Sequence, residues 1–185
     1  MSTVVAQSLE ALEEGLVEVE KSPSDYGTLE MIVCRPAEAE RIILDTGEID
    51  LEVGLVGDNW KQRGSRHTED GSAMIEAQIT LMNSRVAELM TQDRQQWPLA
   101  GDQLFVDMNL SMENLPPGQQ ISIGEAVLEI SEMPHTGCGK FSARFGPGAI
   151  RFVNSKDGRA RRLRGVNARV IKPGKIRAGD SVQKV

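Results

Sequence analysis

Thiols, imidazoles and aromatic rings are all scarce in this chain. Its 185 residues include two cysteines, two histidines, two tryptophans, one tyrosine and four phenylalanines. Two cysteines cannot build the multi-bridge framework of small secreted domains, so free thiols in a reducing compartment are expected, with a single Cys34–Cys138 bridge left open. His67 and His135 give no support to a Ser-His-Asp site, and no G-x-S-x-G elbow is present. Few aromatics and a net charge of −6 argue against nucleic acid as a ligand. No window approaches about 18 consecutive apolar residues, which argues against a helical membrane span. The opening "MSTVVAQSLEALEEGLVEVE" is acidic and lacks the basic-then-apolar layout of a secretory signal, so a cytoplasmic location is expected. The full phosphate-binding and dinucleotide-binding glycine patterns are missing too, although "GCGKFS" sets glycines beside a lysine.

What is present fits one domain with an ordinary core, preceded by a short helical extension over 1–14 and occupying 15–185. Acid is nearly absent from the last quarter. Residues 1–137 hold 8 Lys/Arg against 25 Asp/Glu, and residues 138–185 hold 13 against 2. That basic end either balances the acidic remainder or faces an anion.

Leu9 and Leu12 predict a short helix over 6–14. Val17 and Val19 alternate with Glu18 and predict a strand. Further strands are expected over 27–36, 41–45, 103–110 and 119–133, and in the closing "GVNARVIKPG" and "KIRAGDSVQKV". The segment 72–90 carries Met74, Ile75, Ile79, Met82, Val86, Leu89 and Met90 at three- and four-residue steps. It predicts one long helix capped by Ser72, with its methionines filling the core. Gly57-Asp58, Gly101-Asp102 and Gly179-Asp180 predict turns in which the aspartate bonds its own backbone. Short strands, tight turns and little helix predict a mainly β protein, a compact barrel with helical insertions.

Cys138 lies in "EISEMPHTGCGKFSARFG". Its sequence context admits a metal ligand, a nucleophile, a sulfur carrier or a small residue in a turn. His135-x-x-Cys138 is a legitimate zinc spacing, but Cys34 and His67 are far apart in the chain and form no second local pair. The stretch after Cys138 can begin a helical turn with Phe141 and Phe145 on its inner face. Cys138 would then sit at a helix N-terminus beside Lys140 and within reach of Arg144, which favours thiolate. Such a thiolate can bind a soft metal or hold a persulfide. The run 155–170 supplies Arg159, Arg161, Arg162 and Arg164, and strand alternation would put Arg162 and Arg164 on one face. Their planar forks suit phosphate or carboxylate, and equally a guarded strand edge.

Taken in order, "GLVGDNW", "LAGDQLFVDMNLSMENLPPGQQISIGEAVLEI", "HTGCGKFSARFG" and "LRGVNARVIKPGKIRAGDSV" resemble the MOSC domain family, named after the C-terminal domain of molybdenum cofactor sulfurase. The resemblance runs from about Gly15 to Val185. It implies a closed β-barrel of mixed strand direction, with the family's single hallmark cysteine at Cys138. In members that act as molybdoenzymes this cysteine ligates the molybdenum of the pyranopterin cofactor, and such enzymes reduce N-hydroxylated compounds. Stand-alone members have been proposed to carry sulfur for metal–sulfur centre assembly, and a non-catalytic binding module is the remaining reading. Lys140, Arg144 and Arg164, with Arg162, match basic residues that hold the pterin phosphate. The loop after "GLVGD" implies a secondary set in Lys61, Arg63, Arg66 and His67.

These residues offer no pyridoxal-phosphate site like the sulfurase's, and "HTG" separates Pro134 from the cysteine where members often place proline directly before it. With no iron–sulfur or haem motif, electrons for a reductase would come from a redox partner. A sulfur carrier would instead meet a donor or acceptor protein. The resemblance leaves monomer and homodimer open.

Overall fold

A computed structural model describes residues 4–185, so the first three residues of the expected extension lie outside it. Seven strands close on themselves in the order β1 (Tyr26–Cys34), β11 (Ser181–Lys184), β7 (Gln120–Ile123), β8 (Ala126–Ile130), β9 (Val166–Lys172), β5 (Ile79–Asn83) and β6 (Leu104–Asp107). The β5–β6 pair is parallel and the other pairs are antiparallel, so the barrel is of mixed direction, as expected. β2 (Ile42–Leu44) extends the sheet beside β1, and β3 (Thr46–Asp50), β4 (Gly54–Leu55) and β10 (Gly174–Arg177) form a separate small sheet. Ile49, Leu55 and Ile176 carry that sheet into the barrel core.

β1 shows how the barrel sorts its side chains. Pairing with β6 slips between Leu29 and Met31, and that bulge resets the two-residue alternation. Leu29, Ile32 and Cys34 therefore point to the interior cluster, while Met31 and Val33 join a second cluster outside the wall. Helices cover that outer cluster: α1 (Leu9–Glu14), α4 (Ser84–Thr91) and α5 (Gly139–Asn154) bury Leu12, Val86, Met90, Phe141 and Phe145 against Met82 and Phe105.

Two expectations need correction. Val17 and Val19 belong to a short helix, α2 (Leu16–Val19), and only Val19 is buried. Helix continues through Gly15, which stays right-handed, and its missing Cβ leaves room for the Leu89 side chain. The long helix over 72–90 does not exist. Its first half is a 3₁₀ turn (Ile75–Ala77) and then β5, buried at every position. A strand covered on both faces reads as a continuous apolar run, and here that run happened to continue the helical spacing of α4. Asn83, not Ser72, caps α4: its Oδ1 accepts the N–H groups of Arg85 at 2.8 Å and Val86 at 3.3 Å.

The basic run is likewise not an extended strand. Lys156–Ala160 forms α6, Arg161 pairs with Glu20 and Asp157, and Arg162 takes a left-handed φ of 51°. Arg162 and Arg164 consequently do not share a strand face.

Candidate functional site

Cys138 closes the loop that follows β8 and is the N-cap of α5, with extended backbone at φ −114° and ψ 178°. The loop is held at several points. Ser131 Oγ donates to the Glu76 carbonyl at 2.7 Å, and Asn167 Nδ2 donates to the Met133 carbonyl at 3.1 Å. Asn154, at the far end of α5, accepts from Gly137 N–H at 2.9 Å and returns a hydrogen bond to its carbonyl at 3.0 Å. Gly137 permits this clamp because a Cβ there would stand 3.0 Å from Val153 Cγ2. The expected inner face of the helix is present: Phe141 and Phe145 are buried with ring centroids 4.8 Å apart. α5 bends at Gly146, ahead of Pro147.

The thiol is exposed, and no side-chain hydrogen bond of strict cap geometry ties it to the helix. Partial burial opposes ionisation, yet the backbone N–H groups of Phe141 and Lys140 and the charge of Arg164 bring its pKa below the ordinary thiol value. Cys34 differs in each respect. It is buried in the barrel, and burial with the nearby Asp58 carboxylate pushes its pKa up. Both cysteines are free.

Cys138 opens into a cleft of about 660 Å³ whose walls carry five cationic side chains: Arg35, Arg41, Arg63, Lys140 and Arg144. Glu38, the acid in the lining, is exposed and meets Lys140 at 3.2 Å. Arg35 is buried and already paired. Its Nε and Nη2 donate to the two Asp58 oxygens at 2.8 Å each, and its Nη1 donates to the Gly101 carbonyl at 2.8 Å. Asp58 also accepts Trp60 N–H, so the "GLVGDNW" segment is folded around this carboxylate.

Arg41 and Arg63 form no ion pair among the described residues. Desolvation, with the Arg144 and Arg35 charges, depresses the pKa of Arg41; desolvation and Arg35 do the same at Arg63. Gly101, at φ 92°, lies between Arg41 and Arg144. A Cβ there would stand 3.8 Å from Arg144 Nη1 and 3.9 Å from Arg41 Nη2. Like charges are thus gathered on one wall with little acid to offset them. Arg41 Nε and Asn59 Oδ1, on that same wall, are buried without a hydrogen-bond partner. The arrangement suits an anion with several acceptor oxygens, placed beside a soft sulfur donor.

Arg164 stands behind the cleft and does not line it. It is buried, with Nη1 2.6 Å from Asp102 Oδ2, Nη2 donating to the Ala100 carbonyl at 2.9 Å, and its guanidinium 4.9 Å from the Phe141 ring centre. Asp102 is fully buried and also receives His135 Nε2 at 2.8 Å. Despite the burial, Arg164 and His135 hold the Asp102 carboxyl well below the usual range. Burial and Arg164 depress the His135 pKa, so a neutral ring donating from Nε2 fits its position beside an ionised Asp102. Among the described residues, no three His, Cys, Asp or Glu side chains are grouped as metal ligands.

The sequence-derived set therefore divides. Cys138, Lys140, Arg144 and Arg63 meet at one cleft, and Arg164 supports it from behind. Arg162 is turned elsewhere, donating to the Leu115 carbonyl. Lys61 is exposed and pairs with Glu52 at 3.3 Å, and His67 is exposed on its loop; neither lines the cleft. Arg66 is also exposed and outside the lining. Sequence reasoning missed Arg35, Arg41 and the two buried aspartates. Asp58 and Asp102 carried a signal, each following a glycine, but it pointed to turns. In the structure they are counter-ions to buried arginines. Arg35 and Arg41 lie at the exit of β1 and the entry to β2, where no local pattern marks them.

A small closed barrel of mixed strand direction, presenting one exposed cysteine at a helix N-terminus in a cationic cleft, defines the class of protein. The chain belongs to the MOSC domain family, whose model matches residues 65–183. Solved structures with a similar fold include the YuaD protein of Bacillus subtilis, 16% identical with a TM-score of 0.60, covering 86% of this chain and 95% of that one. YiiM from Escherichia coli is 19% identical with a TM-score of 0.54, covering 85% and 69% of the two chains. A hypothetical protein is 21% identical with a TM-score of 0.57, covering 90% and 70%. No curated protein matches the chain. Among the described residues no helix is long and apolar enough to cross a membrane.

Proposed function

We propose that this protein binds the molybdenum cofactor, with Cys138 as the protein ligand to molybdenum. The carrying observation is one exposed, thiolate-favouring sulfur at the edge of a cleft bearing five cationic side chains and a single acid. The residues fit such a group. Lys140, Arg144, Arg41 and Arg63 would hold an anionic pterin by its phosphate, and the unpartnered Arg41 Nε and Asn59 Oδ1 are available to it. Arg35, fixed by Asp58, keeps the cleft wall in place, and Arg164 stabilises the thiolate from behind. When bound, the cofactor supplies two-electron redox chemistry. Reduction of N-hydroxylated compounds is the activity this reading favours, with electrons delivered by a separate partner.

The decisive test is metal and pterin analysis of protein made in a host that synthesises the cofactor. Stoichiometric molybdenum that is lost in Cys138→Ala supports ligation. A metal-free protein with a persulfide on Cys138, seen by mass spectrometry, would replace this reading with sulfur carriage. The exposure of Cys138 supports that second reading, because a carrier sulfur must reach its acceptor. In it the outer sulfur passes to an acceptor thiolate and Cys138 returns to thiolate.

A further inference from the structure

A second cavity of about 280 Å³ lies under the loop after β8, and no residue lines both it and the Cys138 cleft. Met112, Met133, Pro134, Val153 and Val166 give it an apolar wall. The charged part of its lining is mostly cationic. Arg159, Arg162 and Arg164 all reach it, against one carboxylate, Glu132, which is exposed.

The fold leaves donors of these arginines unused. Arg159 and Arg162 form no ion pair among the described residues, and the Arg162 head has only the Leu115 carbonyl. Arg162 is also one of three non-glycine residues held at positive φ among the described residues, a conformation that costs an ordinary side chain about 1 kcal/mol or more. Arg164 is 6% exposed, and its Nε has no hydrogen-bond partner although its other two nitrogens are used. A half-buried guanidinium without an acid partner, next to apolar side chains, is unfavourable unless a ligand supplies the missing acceptor.

We propose that this cavity is a second binding site, taking a small carboxylate with an apolar body. Planar guanidinium forks match a carboxylate, and the methionine, proline and valine wall matches a hydrocarbon or ring. The volume limits the ligand to roughly the size of a substituted benzene ring. The assignment does not depend on what Cys138 binds.

Benzoate is a suitable probe, followed by NMR of methionine methyl groups in the full-length protein. Met112 and Met133 line the cavity and no other described methionine does, so the readout is site-resolved. The expected result is a saturable shift of the Met112 and Met133 signals at benzoate concentrations up to about 10 mM, the weak end for so small a ligand. Arg162→Asn, which tolerates positive φ, should weaken binding about ten-fold or more. Cys138→Ser should leave it unchanged. Benzamide, with the same ring and no charge, should bind at least about ten-fold more weakly to the unaltered protein, a comparison that does not rely on any variant folding. No saturable shift, equal binding of benzamide, or equal displacement by inorganic phosphate would each overturn the assignment. So would loss of binding in Cys138→Ser, because the two cavities would then not be independent.

Discussion

Replacing Asp102 by asparagine isolates the charge that holds the back of the cleft together. Asp102 is fully buried and stands between Arg164 at 2.6 Å and His135 at 2.8 Å. Asparagine keeps the shape, and the His135 ring can adapt by moving its proton to the other nitrogen. Arg164 cannot adapt, because its guanidinium stays charged and is itself only 6% exposed. Removing one partner of a buried pair costs about 3–5 kcal/mol. For a chain of 185 residues each kcal/mol lowers Tm by about 2–4 °C, so a drop of roughly 6–20 °C is expected. That is a large share of a typical total stability of about 5–15 kcal/mol. Thermal unfolding by circular dichroism measures it. Arg164→Met alone should cost a comparable amount by stranding the carboxylate. The double variant Asp102→Asn/Arg164→Met should recover part of the summed loss, since neither buried charge is then left alone. A drop under about 2 °C in Asp102→Asn, or strictly additive losses in the double variant, would refute the assignment of Asp102 as the counter-ion of Arg164.

Further expectations follow from the same geometry. In the folded protein iodoacetamide should modify Cys138 well before Cys34, with a rate midpoint below the usual thiol value of about 8.5; equal rates would contradict the exposure and opposite pKa directions of the two thiols. Stability should fall on acidification in two windows. His135, with a depressed pKa, opposes folding as the unfolded histidine protonates below about pH 6.5, and Asp102 loses its contribution as pH falls below about 4. His135→Gln should flatten the first window in a pH series of melting curves and leave the second. Gly165→Ala should destabilise by about 3 kcal/mol or more, measured by urea unfolding. Gly165 sits at φ 107° and a Cβ there would stand 2.1 Å from the Leu81 carbonyl oxygen. A loss under about 1 kcal/mol would mean that the β5–β9 crossing relaxes easily.

Local patterns in the sequence determined a good deal. Short alternating segments bounded by glycine and proline marked β1, β2, β6, β7 and β8, because alternation and turn chemistry are local properties of the backbone. Cys138, the helix that begins there and its Phe141–Phe145 face were legible for the same reason, and the motif order identified the family. Tertiary structure decided what local spacing could not. The 72–90 segment has helical periodicity, yet Ile79–Asn83 within it is a strand because the barrel covers β5 on both faces. Charge neighbours separated by many residues were equally hidden. Asp58 with Arg35, and Asp102 with Arg164 and His135, meet only when the barrel closes. So does the gathering of Arg41 and Arg63 with Lys140 and Arg144, which come from opposite ends of the chain. Burial fixes which arginine is already neutralised and which still faces the cleft with its charge free, and burial is a property of the packed molecule alone.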